Sequence, residues 1–83
     1  MVDLPLGRCP AAHPEDRRPC DSRPDTVLVV DMGGGQLAGC IRHAAQLCAT
    51  VSESRIYPLA GGPEAAVEAA YVALSRTPFD FAE

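Results

Sequence analysis

The chain has no lysine and no tryptophan, and only four of its 83 side chains are aromatic. Its positive charge comes from seven arginines, which are opposed by eleven carboxylates for a net charge of −4. Four arginines precede residue 26, so the rest of the chain has three arginines against six acids. Nucleic-acid binders need clustered positive charge, and this balance therefore predicts no nucleic-acid partner. A local site for one small anion is still allowed.

Long apolar runs are also missing. The longest, residues 27–30, is far shorter than the ~20 residues that span a bilayer, so no membrane association is expected. The first residues hold no apolar core of the kind found in signal peptides, which favours a cytoplasmic location. The four cysteines, Cys9, Cys20, Cys40 and Cys48, are then expected to be free thiols.

Proline is concentrated in the first 25 residues, which hold five of the eight prolines together with mixed charges. Proline removes amide donors and restricts the backbone, so a stable helix or strand is not expected there. We therefore predict a disordered arm over residues 1–25 and one small α/β domain over residues 26–83. The alternative is that the arm becomes ordered on a partner.

The domain is predicted to follow a strand-helix-strand-helix order. Residues 26–32 form a β-branched apolar run typical of a buried strand. Residues 36–51 have helical apolar periodicity, residues 55–59 suggest a second short strand, and residues 63–75 a second helix. Right-handed crossovers would make the two strands parallel.

Two parallel strands do not form a sheet that is stable alone, so a further strand is expected from the N-terminal arm or from a second subunit. The second helix is expected to bury Val67, Ala70, Tyr71 and Leu74, leaving a small apolar strip on its other side. The residues predicted to form the interface are Val27, Val29, Ala65, Ala69, Val72, Phe79 and Phe81.

A glycine-rich turn follows the first predicted strand, and its residues are Asp31, Gly33, Gly34, Gly35 and Gln36, with Met32 between the first two. A strand-to-helix turn of this kind directs backbone amides and a helix dipole at one point, as phosphate sites do. The six residues resemble the Asp-x-Gly-Gly-Gly turn of actin-like ATPases, which wraps a nucleotide phosphate. The resemblance implies a small-anion site here. The alternative is that the glycines only allow a tight connection between strand and helix.

Cysteine and histidine spacing gives only weak signals. Cys40 and His43 could share one face of the first helix and activate a thiol or bind a metal, whereas a buried thiol and a surface imidazole are the commoner outcome. Cys9, His13 and Cys20 are not spaced as the tight ligand pairs of zinc sites, and there is no Cys-x-x-Cys. No metal site, cofactor or catalytic constellation is assigned.

The sequence thus predicts a small non-catalytic protein-protein interaction or regulatory module that associates with itself or completes the sheet of a partner protein. The alternative is a protein that binds a small anion or a nucleotide phosphate through the turn of residues 33–36. The sequence is assigned to no family.

Overall fold

Two helices pack beside one three-stranded sheet in the computed structural model, which describes residues 9–78. Along the chain the elements are β1 (Val27–Val30), β2 (Gln36–Gly39), α1 (Ile41–Thr50), β3 (Arg55–Pro58) and α2 (Gly62–Leu74). The strand order is β2-β1-β3, and β1 pairs antiparallel with both neighbours. Neither helix in residues 9–78 is long and apolar enough to cross a bilayer.

The predicted parallel strands are wrong, and the cause is the segment after β1. The glycine-rich residues 31–35 form a hairpin loop in which the Gly35 N–H donates to the Asp31 carboxylate at 2.8 Å. Gly34 has a φ of 90°, which few residues other than glycine adopt. Gln36 is therefore brought back opposite Val30, and residues 36–39 form a strand where the first turns of a helix were expected.

The hairpin also removes the reason for an outside strand. The third strand, β2, comes from residues 26–83 of the same chain, so the inference that a partner or the arm must complete the sheet is wrong. The N-terminal segment adds one backbone hydrogen bond to β2, from Ala11 N–H to the Ala38 carbonyl at 3.0 Å. The predicted boundary near residue 25 is not tested by these contacts.

The core between sheet and helices is built from small side chains. Its buried members are two valines of β1 and three helical alanines: Val27, Val29, Ala44, Ala66 and Ala69. The face of α2 that packs inward is thus the alanine face, opposite to the expected one. Val67, Tyr71 and Leu74 point away from the core and are 56%, 70% and 82% exposed.

Residues 9–25 contain turns but no helix or strand, and they pack against the start of α1. A second buried cluster forms there from Cys9, Ala11 and Cys40. Gly39 allows this close approach, because a Cβ at that position would lie 2.5 Å from the Ala11 Cβ. Two segments that are distant in sequence therefore meet at the N-terminus of α1.

Candidate metal centre

Three cysteines and one histidine converge where the N-terminal segment meets α1. Cys9 and Cys20 come from the segment, and Cys40 and His43 come from the start of the helix. The four potential ligand atoms all lie within 4.8 Å of one another. Cys9, Cys40 and His43 are buried and Cys20 is half-buried, so the cluster is largely shielded from solvent.

The distances match a tetrahedral site. The His43 Nδ1 atom lies 3.5 Å from the Cys9 sulfur, 3.5 Å from the Cys20 sulfur and 3.2 Å from the Cys40 sulfur. The Cys9 and Cys40 sulfurs are 4.0 Å apart. Tetrahedral zinc with bonds of about 2.3 Å to sulfur and about 2.0 Å to nitrogen places two sulfurs about 3.8 Å apart and a sulfur and a nitrogen about 3.5 Å apart. These four distances fit a Cys₃His zinc site, and the two remaining sulfur–sulfur pairs, both of which involve Cys20, lie within 4.8 Å.

Two ligands are positioned by the helix start itself. Cys40 is the N-cap of α1, and its extended backbone directs its sulfur back over the first turn. There the sulfur accepts the His43 N–H at 3.3 Å. Because residues three apart on a helix are neighbours, the Cys40 cap and the His43 ring face the same point.

Cys9 accepts the Cys40 N–H at 3.4 Å, and Cys20 is held by contacts between the residues that follow it and the first turn of α1. The Ile41 N–H donates to the Ser22 hydroxyl at 3.0 Å, and the Arg42 N–H donates to the Asp21 carboxylate at 3.1 Å. Amides at a helix start have no partner within the helix, so these bonds satisfy donors that need acceptors. They fix the chain directly after Cys20 against α1.

The histidine ring is oriented from its far side. His43 Nε2 lies 2.9 Å from the Arg18 carbonyl oxygen, which accepts a hydrogen bond when that nitrogen carries the proton. The Nδ1 lone pair then faces the three sulfurs. An imidazole ligand with its second N–H bonded to a carbonyl is the usual arrangement at metal sites, since this bond sets both tautomer and ring plane.

A partly buried ion pair between Asp16 and Arg18 holds that carbonyl in place. Asp16 accepts two hydrogen bonds from the Arg18 guanidinium, both at 3.0 Å, and a third from the Arg18 N–H at 3.0 Å. Burial would raise the pKa of the Asp16 carboxyl, but the bonds from Arg18 outweigh it and hold that pKa below its usual range. Asp16 is therefore ionised at neutral pH, and its Oδ2 lies 3.7 Å from His43 Nε2.

The thiols have unequal proton affinities. The pKa of Cys9 is lowered to about 7, because the side chain and the N–H of Cys40 hydrogen-bond to its sulfur despite its burial. The pKa of Cys40 is raised by its hydrogen bond with Cys9 and by burial. Burial is also the main cause that raises the pKa of Cys20. The cluster thus accommodates one thiolate easily, and a bound cation would be needed to ionise the others.

Comparison with known proteins finds no relative. No protein family, curated protein or solved structure matches this chain. Its function is therefore inferred from the geometry of the chain's own residues.

The sequence alone does not predict most of this cluster of potential metal ligands. The one usable signal was the spacing of Cys40 and His43, which the structure brings together at 3.2 Å. Cys9 and Cys20 are separated by ten residues and join the other pair only through folding. His13 lies outside the cluster, and its Nδ1 accepts the Glu15 N–H.

The predicted anion site has lost part of its physical basis. Gly33, Gly34 and Gly35 lie in an exposed hairpin loop, and Gln36 begins β2 rather than a helix. Within residues 9–78 the loop is followed by β2, and the next helix begins only at Ile41. The anion hypothesis itself stays untested.

The predicted interface residues are largely within the fold. Val27, Val29 and Ala69 are core residues, and Ala65 and Val72 are half-buried. In this arrangement the three core residues have almost no surface to offer a partner. Phe79 and Phe81 lie outside the described residues.

Proposed function

We propose that this protein is a small non-catalytic domain whose fold is held by one structural zinc ion on Cys9, Cys20, Cys40 and His43. The observation that carries the proposal is the convergence of four ligand atoms within 4.8 Å of one another, with His43 Nδ1 at 3.2–3.5 Å from all three sulfurs. The three cysteine thiolates would bind the zinc ion together, and the neutral His43 imidazole would be the fourth ligand. In the cell the domain serves as an interaction module for another protein or for a second copy of itself.

The donor set selects the metal. Thiolate and imidazole ligands suit zinc, whereas calcium and magnesium prefer oxygen ligands. Four protein ligands fill a tetrahedral zinc ion and leave no position open for water or substrate, as is typical of structural rather than catalytic sites. A cytoplasmic location, as expected from the sequence, would keep the thiols reduced and available.

Zinc would supply stability that the core alone provides poorly. Only two valines and three alanines are buried in the main hydrophobic cluster. Domains of this size often need a disulfide or a structural metal in addition to their core. The metal would connect residues 9–25, which have no helix or strand, to α1 and so add that segment to the folded unit.

Metal titration of the purified full-length chain tests the proposal. We expect one zinc per chain, and Co²⁺ in its place should give the visible bands of a tetrahedral site together with thiolate-to-cobalt charge-transfer absorption. Replacing Cys20→Ser should weaken binding by at least about tenfold and reduce the charge-transfer absorption, since one of three thiolates is lost.

Cys48 supplies a matched control on the same helix. It is half-buried, and its sulfur donates to the Ser54 carbonyl at 3.6 Å, away from the cluster. Cys48→Ser should leave metal stoichiometry and the cobalt spectrum unchanged. A chain that takes up no zinc or cobalt, or one whose binding is lost with Cys48 and kept without Cys20, would contradict the proposal.

A further inference from the structure

A stripe of large apolar side chains runs along the outer face of α2, and it is independent of the metal centre. Val67, Tyr71 and Leu74 are four and three residues apart, so they share one side of the helix. They are 56%, 70% and 82% exposed, while Ala66 and Ala69 are buried on the opposite side. The large apolar side chains of α2 therefore lie on its solvent side, and its small ones lie toward the core.

This arrangement follows from how closely α2 packs. Gly61 just before the helix touches the core so tightly that a Cβ there would lie 2.5 Å from the Thr26 Cγ2. Small alanines suit such an approach, and the bulky residues are left facing out. Exposing three neighbouring large apolar side chains to water is unfavourable unless another surface covers them. An exposed apolar patch of this kind is typical of an interaction site.

The geometry points to a second copy of this chain as the occupant, with the two α2 helices packed antiparallel across a two-fold axis near Ala70 and Tyr71. An axis there sets Val67 of one copy beside Leu74 of the other. It also brings each Tyr71 next to a groove of about 550 Å³ between β3 and α2, whose apolar lining includes Ala70 and Ala73. One surface thus provides both the projecting ring and the recess.

Charge favours the antiparallel direction. Glu64 and Glu68 lie in the first half of α2, whereas Arg76 follows its end and Arg55 lines the groove beside Leu74. Antiparallel packing sets the acidic end of one copy against the basic end of the other. Parallel packing would bring like charges together, which opposes association.

The size of the stripe limits the strength of the dimer. Three partly exposed side chains and their borders bury roughly 400–600 Å² per copy, below the ~800 Å² of a standard stable interface. A weak, reversible dimer is therefore expected, with a Kd on the order of 10–100 µM.

Sedimentation of the zinc-loaded full chain from about 5 to about 500 µM tests this range. Tyr71→Ser and Leu74→Ser should each weaken dimerisation by at least about tenfold, since a two-fold interface loses each side chain twice. The control is Met32→Ser, which removes a side chain of similar exposure, 78%, from the hairpin loop. It should change the dimerisation constant by less than about twofold.

The double variant Glu64→Arg/Glu68→Arg tests the direction. It should weaken the antiparallel dimer because both ends of α2 then become basic, whereas no change would overturn the antiparallel arrangement. A wild-type chain that stays monomeric at about 500 µM would overturn the dimer itself. The dimer would also be overturned if the wild-type chain were monomeric and only the Phe79→Ser/Phe81→Ser variant dimerised. In that case residues of the same chain would cover the stripe in the wild type.

Discussion

Replacing a cysteine of the proposed metal centre should lower the free energy of unfolding far more than replacing a cysteine elsewhere in the chain. Cys9→Ser is the most informative such variant. Cys9 is the ligand nearest the N-terminus, and with Cys20 it closes a loop of twelve residues across the metal. Cys20, Cys40 and His43 remain as ligands in the variant. The change therefore releases one loop while leaving the rest of the site able to bind.

The entropy of that loop sets the minimum effect. Cross-linking a loop of this length stabilises a fold by about 3 kcal/mol by restricting the unfolded chain, provided that the metal stays bound. The lost zinc–sulfur bond adds to this figure. A small domain loses about 1 kcal/mol of stability per molar urea, so the unfolding midpoint should fall by about 3 M.

The assay is urea unfolding with excess zinc, followed by circular dichroism and compared with Cys48→Ser. The Cys48 sulfur donates one weak hydrogen bond, to the Ser54 carbonyl, and its replacement should cost less than about 1 kcal/mol. Equal midpoints for the two variants would refute the reasoning, because the Cys9 sulfur would then not close a metal-linked loop.

Two further predictions concern the surroundings of the ligands. Asp16→Asn removes the charge that holds Arg18, so the Arg18 carbonyl should position His43 less well. Zinc affinity should fall about 10- to 100-fold, with one zinc still bound per chain. Unchanged affinity in a competition titration with a chelator would argue against this role of Asp16. Zinc binding to the folded chain should release fewer than three protons at pH 7, because the pKa of Cys9 is lowered to about 7, so this thiol is partly ionised, while the pKa values of Cys20 and Cys40 are raised and keep those thiols protonated. As pH rises above 7, Cys9 loses its proton before zinc binds, so the number of protons released falls toward 2. Calorimetry in buffers of different ionisation enthalpy measures this number. A value near 3 at pH 7 would indicate three ordinary thiols.

Local sequence was sufficient for the elements whose neighbours leave little choice. The β-branched run at residues 27–30 is a strand, and β3 and α2 lie within two residues of their expected positions. Pro63 near the start of α2 and the apolar, alanine-rich stretch after it favour a helix in any context.

The segment Gln36–Gly39 shows where local pattern was insufficient. Its four residues fit the apolar spacing of the helix that follows, and nothing in them excludes either structure. Pairing with β1 decides the outcome, because the hairpin satisfies backbone groups along the edge of that strand. This single reassignment turned the expected parallel pair into an antiparallel sheet. The face of α2 had the same ambiguity, since the helix is apolar on nearly every side.

The sequence by itself determined the small size, the acidic balance, the principal strand and the C-terminal helix, since each depends on composition or on neighbouring residues. Tertiary structure alone decided the candidate metal centre, because a metal site requires ligands that are close in space whatever their separation along the chain. Cys9 and Cys20 lie in a proline-rich stretch that has no helix or strand. Only its packing against the Cys40 cap of α1 gives those two thiols a common point with His43.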